Sequence, residues 1–185
     1  MGYSVFPAPS SGLSASELIT SPTWTEIANT SGSGVASISF TSLSGYRRYK
    51  IWWEDFLPSV NGESISLRIN NDSNSNYLWF GTITRNGSTP QTIWTNNYAS
   101  FISLGGFGGN NTAYSGSGWV EINNANSTSL KDLNHYASGL NSSGTGCVSQ
   151  LYSIYTGTSA ISSLQILTDG GGNMYINNIR LYGGN

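Results

Sequence analysis

The feature that most constrains this chain is a strict two-residue alternation of apolar and polar side chains, repeated in short runs that end at Gly or Asn. Ala36, Ile38 and Phe40 alternate with Ser37 and Ser39, and Ile65, Leu67 and Ile69 alternate with Ser64, Ser66 and Arg68. A period of two is the signature of a half-buried strand, because successive side chains leave a strand on opposite faces. Further strands are expected at Tyr46 to Phe56, Tyr77 to Thr84, Thr92 to Trp94, Ser100 to Leu104 and Gly118 to Asn123. Others follow at Leu133 to Ala137, Val148 to Tyr155, Ile161 to Thr168 and Met174 to Tyr182. Turn signals separate them at Ser44-Gly45, Arg85-Asn86-Gly87, Gly105 to Asn111 and Asp169 to Asn173. No sustained helical period appears after residue 22. Many short strands between turns predict an all-β antiparallel sandwich, with a jelly roll as the expected topology.

The opening differs. Pro7, Pro9, Ser10, Ser11 and Gly12 make residues 1–21 extended and turn-rich, with one helical turn expected at Ser14 to Thr20, capped by Ser14 and Glu17 and closed by Pro22. We read residues 1–21 as an N-terminal arm and 22–185 as the sandwich domain. Tyr3, Val5 and Phe6 are the apolar residues with which the arm would anchor itself. Met1 to Gly12 has neither a basic start nor an apolar run, so the chain is expected to be made in a cytoplasm without a secretory signal. No stretch reaches the ~18 apolar residues of a spanning helix, so no membrane insertion is expected.

Composition narrows the function classes. Charged residues make up 9% of the 185, against about 25% in an ordinary globular protein. Aromatic residues reach 12%, with 6 Trp and 11 Tyr, which is too many for a disordered chain of low charge. The net charge is -2 and the basic residues are scattered, Arg47, Arg48 and Lys50 being their one cluster. Nucleic acid requires several cations on one face, so it is not an expected partner.

Catalytic equipment is sparse. The single histidine, His135, has no Gly-x-Ser-x-Gly serine to serve. The single cysteine, Cys147, reads as a small apolar strand residue. One His and one Cys cannot supply a zinc site. The oxygen-rich run Asn70 to Asn76 contains only Asp72 as a carboxylate and reads as a polar loop rather than a calcium loop. The glycine runs 105–109 and 170–172 lack the helix and lysine of a phosphate loop and read as turns. Asn-x-Ser/Thr sequons at Asn71, Asn86 and Asn126 read as by-products of an Asn- and Ser-rich chain. Paired carboxylates could hydrolyse a glycan. Glu54 and Asp55 are adjacent and are expected on opposite faces, whereas Glu26, Glu63 and Glu121 lie on separate strands and could converge. We expect no enzyme, no cofactor and no metal.

The segment from Tyr46 to Phe56 is the most informative. Tyr49, Ile51 and Trp53 share one face, and Arg48, Lys50, Trp52 and Glu54 share the other. It is expected to form a hairpin with the strand at 64–69. Trp52 therefore belongs on the outer face. By the same parity so does Trp119, opposite core-facing Val120 and Ile122. An exposed Trp is a flat apolar plate that stacks on a sugar ring or is buried in a subunit interface.

Four segments carry a resemblance. They are Phe-Thr-Ser-Leu-Ser-Gly-Tyr-Arg-Arg-Tyr-Lys-Ile at 40–51, Ser-Ile-Ser-Leu-Arg-Ile-Asn-Asn-Asp at 64–72, Gly-Trp-Val-Glu-Ile-Asn-Asn at 118–124, and the ending from Ile-Ser-Ser-Leu-Gln-Ile through Asn-Met-Tyr-Ile-Asn-Asn-Ile-Arg-Leu-Tyr-Gly at 161–183. Over residues 24–183 the chain resembles a group of bacteriophage virion proteins known as tail-fibre, receptor-binding or particle-surface proteins. The segment 142–160 departs from their pattern. The resemblance implies a jelly-roll-like sandwich and a place on the virion, and it carries over no catalytic residue. The expectation it raises is a tail-fibre or receptor-binding component that attaches to the host surface, assembled as a homotrimer beside other virion proteins, with a host surface glycan as ligand. A capsid decoration protein of the same fold is the second expectation, and a glycan-binding or glycan-hydrolysing domain the third.

Overall fold

A computed structural model describes residues 23–94, 99–107, 109–110, 114–141 and 143–185. The arm at 1–21, with Tyr3, Val5, Phe6 and the turn at 14–20, lies outside the described residues. The described chain is an all-β sandwich of two antiparallel sheets. In chain order the strands are β1 (Trp24–Val35), β2 (Ser37–Phe40), β3 (Arg48–Pro58), β4 (Ser64–Ile69), β5 (Tyr77–Arg85) and β6 (Gln91–Trp94). They continue with β7 (Ile102–Phe107), β8 (Gly116–Ile122), β9 (Lys131–Leu140), β10 (Gly146–Tyr155), β11 (Leu164–Thr168) and β12 (Met174–Gly184). The larger sheet runs β1-β12-β3-β8-β9-β10-β5-β6 and the smaller β2-β11-β4-β7.

The pairing is nested. The first strand pairs with the last, β2 with β11, β3 with β8, and β4 with β7. The ladders β12·β3 and β11·β4 join these pairs into sheets. Strands β5 and β6, and the hairpin β9–β10, are insertions in that order, and all four extend the larger sheet beyond β8.

The alternation read from the sequence fixes which face is buried. Tyr49, Ile51, Trp53, Val120, Ile122, Leu133, Ile179 and Leu181 of the larger sheet meet Ile65, Leu67, Ile69, Leu104, Leu164 and Ile166 of the smaller one in a single apolar core. The Cys147 thiol is free and buried.

Three expectations are corrected. Strands β3 and β4 do not form a hairpin: the loop 59–63 carries the chain from one sheet to the other, and each strand pairs with partners distant in sequence. Alternation reports a buried face and not the partner across the ladder, so consecutive strands look alike whether they share a sheet or face each other. Gly105 and Gly106 lie inside β7 instead of forming a turn. Gly105 sits at a shift in the β4·β7 register with φ of 77°, and a Cβ there would run into the Ser149 hydroxyl of β10 in the opposite sheet. The glycine is thus required by the close approach of the two sheets. The Gly105→Ala variant is expected to lose about 2 kcal/mol, from the left-handed backbone and from overpacking. Urea denaturation measures it directly. The third correction, at Glu54 and Asp55, belongs to the outer face.

Candidate functional site

The outer face of the larger sheet carries the aromatic side chains that the core does not use. Parity places them: each strand that turns one set of residues inward must present the other set to solvent. Trp52 of β3 stands directly opposite Trp119 of β8, and Trp119 directly opposite Tyr136 of β9. The line then steps two residues along the strands to Tyr152 of β10, which pairs with Phe80 of β5. The Tyr152 and Phe80 rings stack with centroids 5.8 Å apart. Trp52, Tyr152 and Phe80 are 42%, 43% and 49% exposed, and Trp119 is half-buried. With neighbouring strands about 4.8 Å apart, the five strands from β3 to β5 carry this row across roughly 19 Å.

Polar groups accompany the row. The Lys50 ammonium lies 4.9 Å from the centre of the Trp119 ring, a cation–π contact. Gln150 Nε2 donates to Tyr152 Oη at 3.4 Å. Trp119, Tyr136, Tyr152, Asn134, Gln150 and Glu121 line a depression of about 410 Å³. Its chemistry is flat apolar plates beside amide and carboxylate groups. Arg48 and Glu121 form an ion pair at 3.4 Å on the same face, both partners about a quarter exposed, which contributes little to stability.

Trp52 and Trp119 therefore both stand where the sequence parity puts them, and side by side. Sequence reasoning missed Tyr136, Tyr152 and Phe80. Parity assigns Tyr136 outward beside inward Leu133 and Ala137. However, β10 turns Ser149 and Ser153 inward and Val148 and Tyr152 outward, and β5 is apolar on both faces at Leu78, Trp79 and Phe80, so neither strand marks its outer face by its apolar pattern.

Glu26 and Glu121 do not make a hydrolytic pair. Glu26, Tyr182, Lys50 and Glu121 occupy one cross-strand row. Glu26 and Glu121 are then three strand spacings apart, about 14 Å, beyond the 5–10 Å that glycoside hydrolysis uses. Glu63, expected on a strand, instead closes the loop 59–63 at the far end, against Gly170 and Gly172. Glu54 and Asp55 depart from expectation in another way. A bulge lies between Trp53 and Phe56, both of which point inward, so Glu54 and Asp55 both lie on the outer face.

Asp72 organises the loop at 70–76 through its own chain. Its carboxylate accepts from the Asn74 amide N–H at 2.9 Å, Asn76 Nδ2 at 2.7 Å and Tyr155 Oη at 2.9 Å. Burial alone would raise the Asp72 pKa, but these donors outweigh it and hold the carboxyl below its usual range.

Comparison with protein-family models, with curated proteins and with solved structures finds no match to this chain.

Proposed function

We propose that this chain is a virion surface protein, a tail-fibre or receptor-binding component of a bacteriophage, and that it attaches to glycan on the host surface through the aromatic row. The observation that carries this reading is the in-register line Trp52, Trp119, Tyr136, continued by Tyr152 and Phe80, on the solvent face of the larger sheet. A saccharide has apolar C–H faces that stack on aromatic plates and hydroxyls that need amide and carboxylate partners. The row offers both, in Asn134, Gln150 and Glu121 beside the rings. The four segments that resemble phage virion proteins supply the setting. We read the eight nested strands as a jelly roll enlarged by two insertions, and the inserted strands β9, β10 and β5 carry Tyr136, Tyr152 and Phe80. By analogy with fibre proteins the assembly is a homotrimer held beside other virion proteins.

The test is binding of the fluorescently labelled protein to a panel of intact bacterial cells, with Trp52→Ala and Trp119→Ala measured beside it. Saturable binding that weakens about tenfold or more in either variant, at unchanged sedimentation, is the expected result. Absence of saturable binding across the panel overturns attachment and favours a decoration protein whose aromatic face is buried in the particle. Saturable binding that survives both substitutions overturns the row as the site.

A further inference from the structure

A second built cluster lies on the same outer face, where β1, β12 and β3 meet. Asp55 holds φ of 55°, a left-handed conformation that is uncommon for residues other than glycine. Its backbone N–H donates to Ser117 Oγ at 3.2 Å. Both carboxylate oxygens are held: Ser115 Oγ donates to Oδ1 at 3.2 Å, and Asn177 Nδ2 donates to Oδ2 at 3.4 Å. The carboxylate is thus fixed in orientation, exposed, and left with an accepting lone pair on each oxygen. Tyr175 stands near it, 45% exposed. Its ring lies along Gly34, where a Cβ would stand 3.6 Å from the tyrosine hydroxyl. Asp55 and Tyr175, with Ser31, Ser33, Ser115 and Asn177, line an open groove of about 500 Å³.

The lining states what would fit. It contains one carboxylate and no cationic side chain, so an anion would be repelled. Among the described residues no group of three or more His, Cys, Asp or Glu stands together to hold a metal ion. A neutral ring with one apolar face and a pair of adjacent hydroxyls meets the lining group by group. The hydroxyls donate to the two carboxylate oxygens, the ring lies on Tyr175, and Ser31 and Ser33 serve the outer substituents.

We propose that the Asp55–Tyr175 groove is a subsite for a single neutral pyranose. It is separate from the aromatic row and does not depend on the row's being a glycan site. The probes are free glucose, galactose, mannose and rhamnose, added to the full isotope-labelled chain and followed by NMR. A ligand of this size in an open groove binds with a Kd on the order of millimolar.

The expected result is saturable shift changes at Tyr175 and Asn177 with at least one sugar. They weaken about tenfold in Asp55→Asn and in Tyr175→Ala and persist in Trp52→Ala. Asparagine tolerates the left-handed backbone, so Asp55→Asn removes the charge without straining the bulge. Unchanged affinity in both groove variants overturns the proposal, as does the absence of shifts at these residues with every sugar. Shifts confined to Trp119, Tyr136 and Tyr152 overturn the subsite while supporting the row, so the two readings fail separately.

Discussion

Truncating Trp53 to alanine is expected to remove about 3–5 kcal/mol of folding free energy. Trp53 is completely buried in the middle of β3, the strand that joins the outer pair β1·β12 to the rest of the larger sheet. Its indole lies over Gly118 of β8, where a Cβ would come within 2.5 Å of Cζ2. A glycine opposite a tryptophan is a volume match: the ring occupies the space that a side chain would fill. Removing the ring leaves a cavity that Gly118 cannot fill, and a well-packed core closes such voids only in part. A domain with about 5–15 kcal/mol of total stability would be left marginal. The Trp53→Phe variant is expected to lose less than half as much. It keeps most of the packing and removes the indole Nε1–H, which is buried without a hydrogen-bond partner among the described residues. Urea denaturation of the three proteins, read as midpoint and slope, gives both losses. A Trp53→Ala midpoint within error of the parent would mean that the inward face of β3 is not the core.

The contrast between Trp53 and Trp52 shows how much of this molecule is legible in its sequence. Two adjacent tryptophans have opposite fates, and parity alone separates them, because a strand gives every second residue to the core. The same rule assigns Trp119 and Tyr136 but not Tyr152 or Phe80, because β10 buries Ser149 and Ser153 while exposing Val148 and Tyr152, and β5 is apolar on both faces at Leu78, Trp79 and Phe80. What it cannot give is the partner across each ladder. Strand β3 pairs with β12 and β8, 60 or more residues away in each register, and no local pattern encodes that distance. Strand β1 was also illegible. It is an edge strand rich in Thr, Ser, Asn and Gly, its register with β12 shifts three times, and Gly32 is its one buried residue. Without a regular inward apolar set, an edge strand leaves no period to read. The bulge at Asp55 was hidden for a related reason. The run Trp-Trp-Glu-Asp-Phe continues a plausible alternation, and only the register against β8 reveals the extra residue that puts Glu54 and Asp55 on one face. The outer tryptophans could be found from sequence, whereas the groove beside Asp55 could not.

Acid is expected to weaken the fold through its one histidine. His135 lies on β9 facing inward, 1% exposed, with Nε2 2.8 Å from Ser153 Oγ. Burial disfavours the imidazolium and pushes its pKa down to about 4, against a small opposing pull from the Leu104 backbone. The folded protein therefore keeps this group neutral over a range in which the unfolded chain, with an ordinary histidine pKa of about 6.5, binds a proton. Where the unfolded state binds more protons, stability rises with pH. The contribution is flat above about pH 6.5, falls as the pH drops toward 4, and amounts to about 3 kcal/mol when the folded-state value is reached. Asp72, held low by its donors, weakens the fold in the same direction as it protonates. Asp169, whose pKa is raised chiefly by burial and also by Glu63, works in the opposite sense, since the folded state takes up its proton first. A single histidine makes the measurement unambiguous. The Hε1 resonance of the folded protein should titrate well below pH 6, and urea midpoints should decline from pH 7 to pH 4.5. An imidazole that titrates near 6.5 in the folded state would place His135 in contact with water, and the row above it would then rest on a wet interior rather than on a closed core.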